Sequence, residues 1–233
     1  MTRPAVLLFD VDGTLLITSG ATTRCIWKAA EMTVGRELPR VPFTSGRLDQ
    51  QLFADALAGA NISNAGDLLP RYKETYLRLL DAELSARRDQ IKIMPGVPAL
   101  LERLSSRDDV IVGLLTGNFH DSTMAKLKYA GIDASVFKIG AFAEDADQRP
   151  VLVAAALRQL AQPASPAQLI IIGDTPRDIE AARHSGTYVL SVATGSYSLE
   201  ELQAENPDAA VATLEETAPL ETLIHLAQNS THI

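Results

Sequence analysis

Apolar residues fall along this chain in two rhythms. Five short apolar, β-rich runs stand out, at 5–9, 110–115, 136–142, 169–172 and 188–192, and most read as strands buried on both faces. Between them, apolar positions recur at helical spacing and predict helices over 97–104, 122–129, 151–162 and 177–184. Strand followed by helix, repeated, argues for an α/β fold with a parallel sheet covered by helices. Residues 19–88 break that rhythm. They carry almost no strand signal, and two amphipathic stripes stand out: Leu48, Leu52, Phe53, Ala56, Leu57 and Ala60, then Leu68, Leu69, Tyr72, Tyr76, Leu79, Leu80 and Leu84. The stripes predict at least two helices packed on each other, a helical domain inserted into the α/β core, which then comprises 1–18 and 89–233.

Composition narrows the class. A chain of 233 residues with 46% apolar content can bury a core without staples, and the single Cys25 excludes an internal disulfide framework. No charged-then-apolar leader and no long apolar span stands out, so a cytoplasmic protein is expected. Twenty-one basic against 29 acidic side chains leave a net charge of −8, which opposes non-specific binding to nucleic acid or to an anionic membrane. An anionic ligand must therefore be gripped locally.

Ligands of parallel sheets collect beyond the carboxyl ends of the strands, and the polar residues there carry the chemistry. The first strand ends in Asp10-Val11-Asp12-Gly13-Thr14, two carboxylates one residue apart before a glycine turn. At ~5 Å and an effective dielectric of ~20, their repulsion is ~3 kcal/mol, which a hard cation would offset. The bland alternative is an ordinary Asp-Gly turn. A calcium loop is excluded by spacing, because counting from Asp10 the sixth position is Leu15 and the twelfth Ala21, where glycine and glutamate belong. No G-x-x-x-x-G-K-S/T phosphate loop occurs.

The second strand end, Thr116-Gly117-Asn118, offers a hydroxyl and free backbone N–H groups ahead of a helix; it reads either as a phosphate cradle or as a plain capped turn. The run Gly173-Asp174-Thr175-Pro176-Arg177-Asp178 ends another strand and opens a helix. Thr175 fits its N-cap, Pro176 its first position and Asp178 a capping box, whereas Asp174 has no capping duty and is a candidate metal ligand. A phosphoryl group also needs a cation. Lys126, eight residues beyond Asn118, is expected ~12 Å along its helix and out of reach, so Arg149, in a loop before the 151–162 helix, is preferred.

The four segments, Asp10-Val11-Asp12-Gly13-Thr14, Thr116, a later basic residue, and Gly173-Asp174 with Asp178, resemble the haloacid dehalogenase-like superfamily, and within it the phosphatases related to phosphoglycolate phosphatase. The resemblance implies a Rossmann-like parallel sheet with helices on both faces and a helical cap domain at 19–88. It implies that Asp10 attacks phosphorus to form an aspartyl-phosphate while Asp12 protonates the leaving oxygen and later activates water. It implies Mg²⁺ held by Asp10, the backbone carbonyl of Asp12 and Asp174, with Asp178 behind them. Thr116, Gly117, Asn118 and Arg149 would bind the phosphoryl group. The superfamily's usual lysine in the third motif is replaced by Arg149, which keeps the charge but clamps phosphate in a planar fork. The expected partner is a small phosphorylated metabolite, read beyond its phosphate by the cap loop Phe43-Thr44-Ser45-Gly46-Arg47. Two other readings stay open: a phosphosugar mutase with the same acid pair, and a non-catalytic phosphate-binding protein.

Overall fold

The structure, a computed structural model, describes residues 3–40, 46–161 and 164–230. Six parallel strands form the central sheet: β1 (Ala5–Phe9), β4 (Val110–Leu115), β5 (Ile139–Ala141), β6 (Leu169–Gly173), β7 (Tyr188–Val192) and β8 (Ala209–Val211). Their order is β5-β4-β1-β6-β7-β8, with β1 in the middle. All five residues of β1 are buried, which is why that run is apolar without alternation. Phe9 is paired with Leu114 on one side and Ile172 on the other. That register lines up three strand ends, and the chain leaves the sheet at Asp10, Thr116 and Asp174 side by side.

Helices α4 (Val97–Ser105), α5 (His120–Ala130), α6 (Arg149–Leu157), α7 (Pro176–Ser185), α8 (Leu199–Ala204) and α9 (Ala218–Asn229) flank the sheet. Two apolar clusters result, one on each face; Val6, Leu8 and Ile171 belong to one, Leu7, Phe9 and Ile172 to the other. Alternate residues of one strand thus feed both layers, as the pleat dictates.

The expected strand at 136–142 is shorter. Ala134–Val136 forms a 3-10 turn, and only Ile139–Ala141 pairs with β4, because this edge strand has a partner on one side. The helix expected over 151–162 begins earlier, with Arg149 as its first residue, and ends at Leu157; Gln162 lies outside the described residues. Arg149 is therefore not a loop residue, and the carboxyl end of β5 delivers it toward the site from a helix N-terminus. The ribbon of β2 (Leu16–Ile17) and β3 (Lys92–Ile93), the edge strand β8 and helices α8 and α9 have no counterpart in the sequence reading.

Between β2 and β3 run α1 (Ala21–Val34), α2 (Asp49–Gly59) and α3 (Ala65–Ala86). Trp27, Phe53, Tyr72, Tyr76, Leu80 and Leu84 are buried among them, and Phe53 stacks on Tyr72 with centroids 4.0 Å apart. The stripes predicted as packing faces are packing faces. No helix among the described residues is long and apolar enough to cross a membrane.

Candidate active site

Helix α2 is sewn onto the loops beyond the carboxyl ends of β4 and β5. Asp49 N donates to Gly117 O at 2.8 Å, and the Asp49 carboxylate accepts from Phe119 N at 3.0 Å. Gln50 Nε2 reaches Ala143 O and Ala146 O, and Lys73 of α3 pairs with Glu144 at 2.6 Å. Beneath this seam lies a cavity of about 450 Å³. Its floor is Asp10, Asp12, Thr116, Gly117, Asn118, Arg149 and Asp174; its roof includes Thr18, Ser19, Thr22, Thr23, Arg47 and Asp49. Of the loop proposed as substrate reader, Gly46 and Arg47 line the cavity, while Phe43, Thr44 and Ser45 lie outside the described residues.

Asp10, Asp174 and Asp178 each bring a carboxylate oxygen within 4.8 Å of the others, and all three are buried. Asp178 is fully committed: one oxygen takes Arg149 Nη2, and the other takes Thr175 N at 3.1 Å and Thr175 Oγ at 2.7 Å. It completes the helix cap predicted for it and also braces the arginine. Asp174 accepts from Thr14 Oγ at 3.1 Å on Oδ1 alone. The buried Arg149 lies 3.2 Å from Asp10 Oδ1, and its Nη1 approaches Gly46 O. Burial pushes the Asp10 carboxyl up to about 6, with Arg149 opposing, and burial with repulsion from Asp10 and Asp178 pushes Asp174 up to about 8. Among the described residues the Arg149 guanidinium pairs with two of these carboxylates, and its one charge does not balance three. The chemistry of this donor set fits a small divalent cation bound by Asp10 and Asp174, with Asp178 turned away toward Arg149.

Two glycines make room for Asp174. A Cβ on Gly13 would stand 2.3 Å from Asp174 Oδ2, and a Cβ on Gly195 would stand 1.7 Å from it. Gly195 belongs to the turn after β7, where Thr194 Oγ donates to Gly13 O at 2.6 Å. The sequence reading missed this segment, although β7 itself was found and the rule that ligands gather at strand carboxyl ends would have pointed to Thr194, Gly195 and Ser196.

The reach expected for Lys126 falls short of what the structure shows, although Lys126 does not line the cavity and Arg149 does. The fully buried Lys126 ammonium reaches Asp12 Oδ2 at 2.5 Å and Asn118 Oδ1 at 2.7 Å. Lys126 is six residues into α5, about 9 Å of rise, and helical side chains lean back toward the N-terminus, so an extended lysine stem spans the remainder. Asn118 Nδ2 donates to Asp12 Oδ2 at 2.8 Å and to Thr116 Oγ at 2.8 Å. The Asn118 side chain is thus spent on the protein, which leaves the Thr116 hydroxyl and the loop backbone to face an anion. His120 is exposed, set edge-on to Phe142 and paired with Asp121.

Comparison with known proteins bears on the same residues. A phosphoglycolate phosphatase of Synechococcus elongatus is 26% identical over 204 residues, 87% of this chain and 90% of that protein. The pyrophosphatase PpaX of Listeria monocytogenes is 27% identical over 207 residues, 87% of this chain and 89% of that protein. The crystal structure of a β-phosphoglucomutase from Clostridium difficile, 18% identical, superposes with a TM-score of 0.70 over 96% of this chain and 98% of that one, a likeness of fold. The family model for haloacid dehalogenase-like hydrolases matches residues 4–186, a span that holds every strand-end acid described above, and the chain belongs to that family.

Proposed function

We propose that the protein is a Mg²⁺-dependent phosphatase that hydrolyses a small phosphorylated metabolite through an aspartyl-phosphate. The observation that carries this reading is the joint placement of Asp10, Asp12, Thr116, Arg149 and Asp174 on the floor of one cavity, with a second carboxylate beside the nucleophile. The relatives named for phosphoglycolate and pyrophosphate agree with a substrate of that size.

Asp10 attacks phosphorus; its oxygen–phosphorus bond forms as the bond to the leaving oxygen breaks, and Asp12 gives that oxygen its proton. Asp12 then takes a proton from water, whose oxygen displaces Asp10 and releases inorganic phosphate. Thr116 Oγ and the backbone N–H groups after it hold the equatorial oxygens, and Arg149 neutralises their charge. Asp10, the Asp12 backbone carbonyl and Asp174 would hold Mg²⁺, which supplies charge neutralisation and alignment of nucleophile and phosphate when bound. The helical insertion over the cavity, residues 19–88, acts as a cap that excludes water and selects the leaving group through Arg47 and its neighbours.

A screen of phosphorylated metabolites with Mg²⁺ tests the reading. Turnover to inorganic phosphate, loss with EDTA, recovery with Mg²⁺ and loss in Asp10→Asn are expected. An isomerised product in place of phosphate would move the assignment to a mutase; activity retained in Asp10→Asn would reject the aspartyl-phosphate.

A further inference from the structure

The geometry points to Lys126 as a positioning residue for Asp12, distinct from the phosphate-neutralising Arg149. A lysine with no exposed surface is rare without partners, because desolvating an ammonium is costly. Here both partners belong to the chemistry. Lys126 Nζ, Asp12 Oδ2 and the Asn118 carboxamide close a ring of three hydrogen bonds, 2.5, 2.7 and 2.8 Å long. The ring has two consequences. It joins the turn after β1 to the loop after β4, so that the proton-handling acid and the phosphoryl cradle move as one body. It also gives Asp12 Oδ2 two donors and leaves Oδ1 without a hydrogen bond among the described residues, on a side chain that is 37% exposed in the cavity.

The chain thus presents one oxygen of Asp12 to the leaving group and withdraws the other. The notion of a second phosphate clamp fails on the same geometry. Lys126 lies behind Asp12 and does not line the cavity, whereas Arg149 does. The charge of Lys126 also acts on Asp49, the buried acid at the start of α2, the helix that roofs the site.

This inference rests on the phosphatase reading, and the test separates the two. Wild type, Lys126→Met and Lys126→Gln are compared on an alkyl phosphate, whose leaving oxygen needs a proton, and on 4-nitrophenyl phosphate, whose leaving group does not. The Lys126→Met variant is expected to lose on the order of 10²-fold in kcat on the alkyl ester, with KM and inhibition by inorganic phosphate within about twofold of wild type. Its first-turnover release of nitrophenolate is expected to fall much less. In an Asp12→Asn background the same change is expected to add little, because the group it orients is gone. Equal losses on both esters, an unchanged kcat, or a loss that appears in phosphate affinity would each overturn the role. Lys126→Gln keeps a hydrogen-bonding group should Met impair folding. A crystal structure of either variant gives a readout independent of turnover: Asp12 is expected to leave its place, and an unmoved Asp12 carboxylate overturns the inference. Absence of Mg²⁺-dependent turnover of both esters by wild type would instead strike at the phosphatase reading.

Discussion

The two acids at the end of β1 stand one residue apart and live in opposite surroundings. Asp10 is buried, faces Asp174 and Asp178, and shares the Arg149 guanidinium with Asp178. Asp12 is partly exposed, and a lysine and an asparagine meet one of its oxygens. Negative charge is in excess on the first side, and a carboxyl there is held above its usual range until a cation arrives. On the second side one ammonium meets one carboxylate at contact distance. Two identical side chains can take different parts in one reaction when their neighbours differ, and here Asp10 faces acids whereas Asp12 faces hydrogen-bond donors. On the phosphatase reading proposed above, a metal completes the first side and the protein itself the second.

The most damaging way to test that division is to remove each cation in turn. Arg149→Ala is expected to lower kcat on the order of 10²–10³-fold and to weaken inhibition by inorganic phosphate and vanadate strongly, because the charge facing the phosphoryl oxygens is gone. Lys126→Ala is expected to leave phosphate and vanadate inhibition nearly intact. Inhibition constants measured on both variants decide the matter; the reverse ranking would make Lys126 the phosphate clamp and dissolve the distinction between the two sides.

A subtler change spares every charge and acts on the metal side alone. In Gly195→Ala the new methyl claims the space of Asp174 Oδ2, so the carboxylate must turn or the loop after β7 must lift. The Mg²⁺ concentration for half-maximal activity is expected to rise by about 10–100-fold, as for other groups that orient a metal ligand. Activity at saturating Mg²⁺ and the thermal midpoint should change much less. An unaltered Mg²⁺ requirement would show that Asp174 is not held by this contact.

What the sequence made legible, and what it hid, follows the same physics. Apolar runs reveal strands buried on both faces, so β1, β4, β6 and β7 could be read, and with them the acids at their ends. The two-residue β2 and β3 and the edge strand β8 bury too little to leave such a run. Asp10, Asp12 and Asp174 were legible as strand-end acids, the first two because two carboxylates one residue apart repel and the third because it has no capping duty. The place of Lys126 was not, since the rise along its helix set it aside and only the direction of its side chain brings it to Asp12. Gly195 was silent for another reason: its contribution is a missing methyl group.

The smallest expected effect concerns the seam between the helical insertion and the loops beyond the carboxyl ends of β4 and β5. Asp49 has its carboxylate against Phe119 N under α2, and burial pushes its carboxyl up to about 7, with Lys126 and that N–H opposing. An acid whose folded value lies above its unfolded one near 4 binds its proton more tightly when folded, so its contribution to stability is full below the unfolded value and fades as pH rises through the folded one. Wild type without metal is therefore expected to lose stability between about pH 4 and 7 through this group. Asp49→Asn keeps an acceptor for Phe119 N and has no proton to lose. Denaturant unfolding of both proteins in EDTA across that range should show the variant gaining on wild type as pH rises, by an amount lessened by any water that reaches the seam. A difference that stays constant with pH would mean that folding leaves the Asp49 carboxyl at its unfolded value, so that Lys126 and the Phe119 N–H together offset the whole cost of its burial.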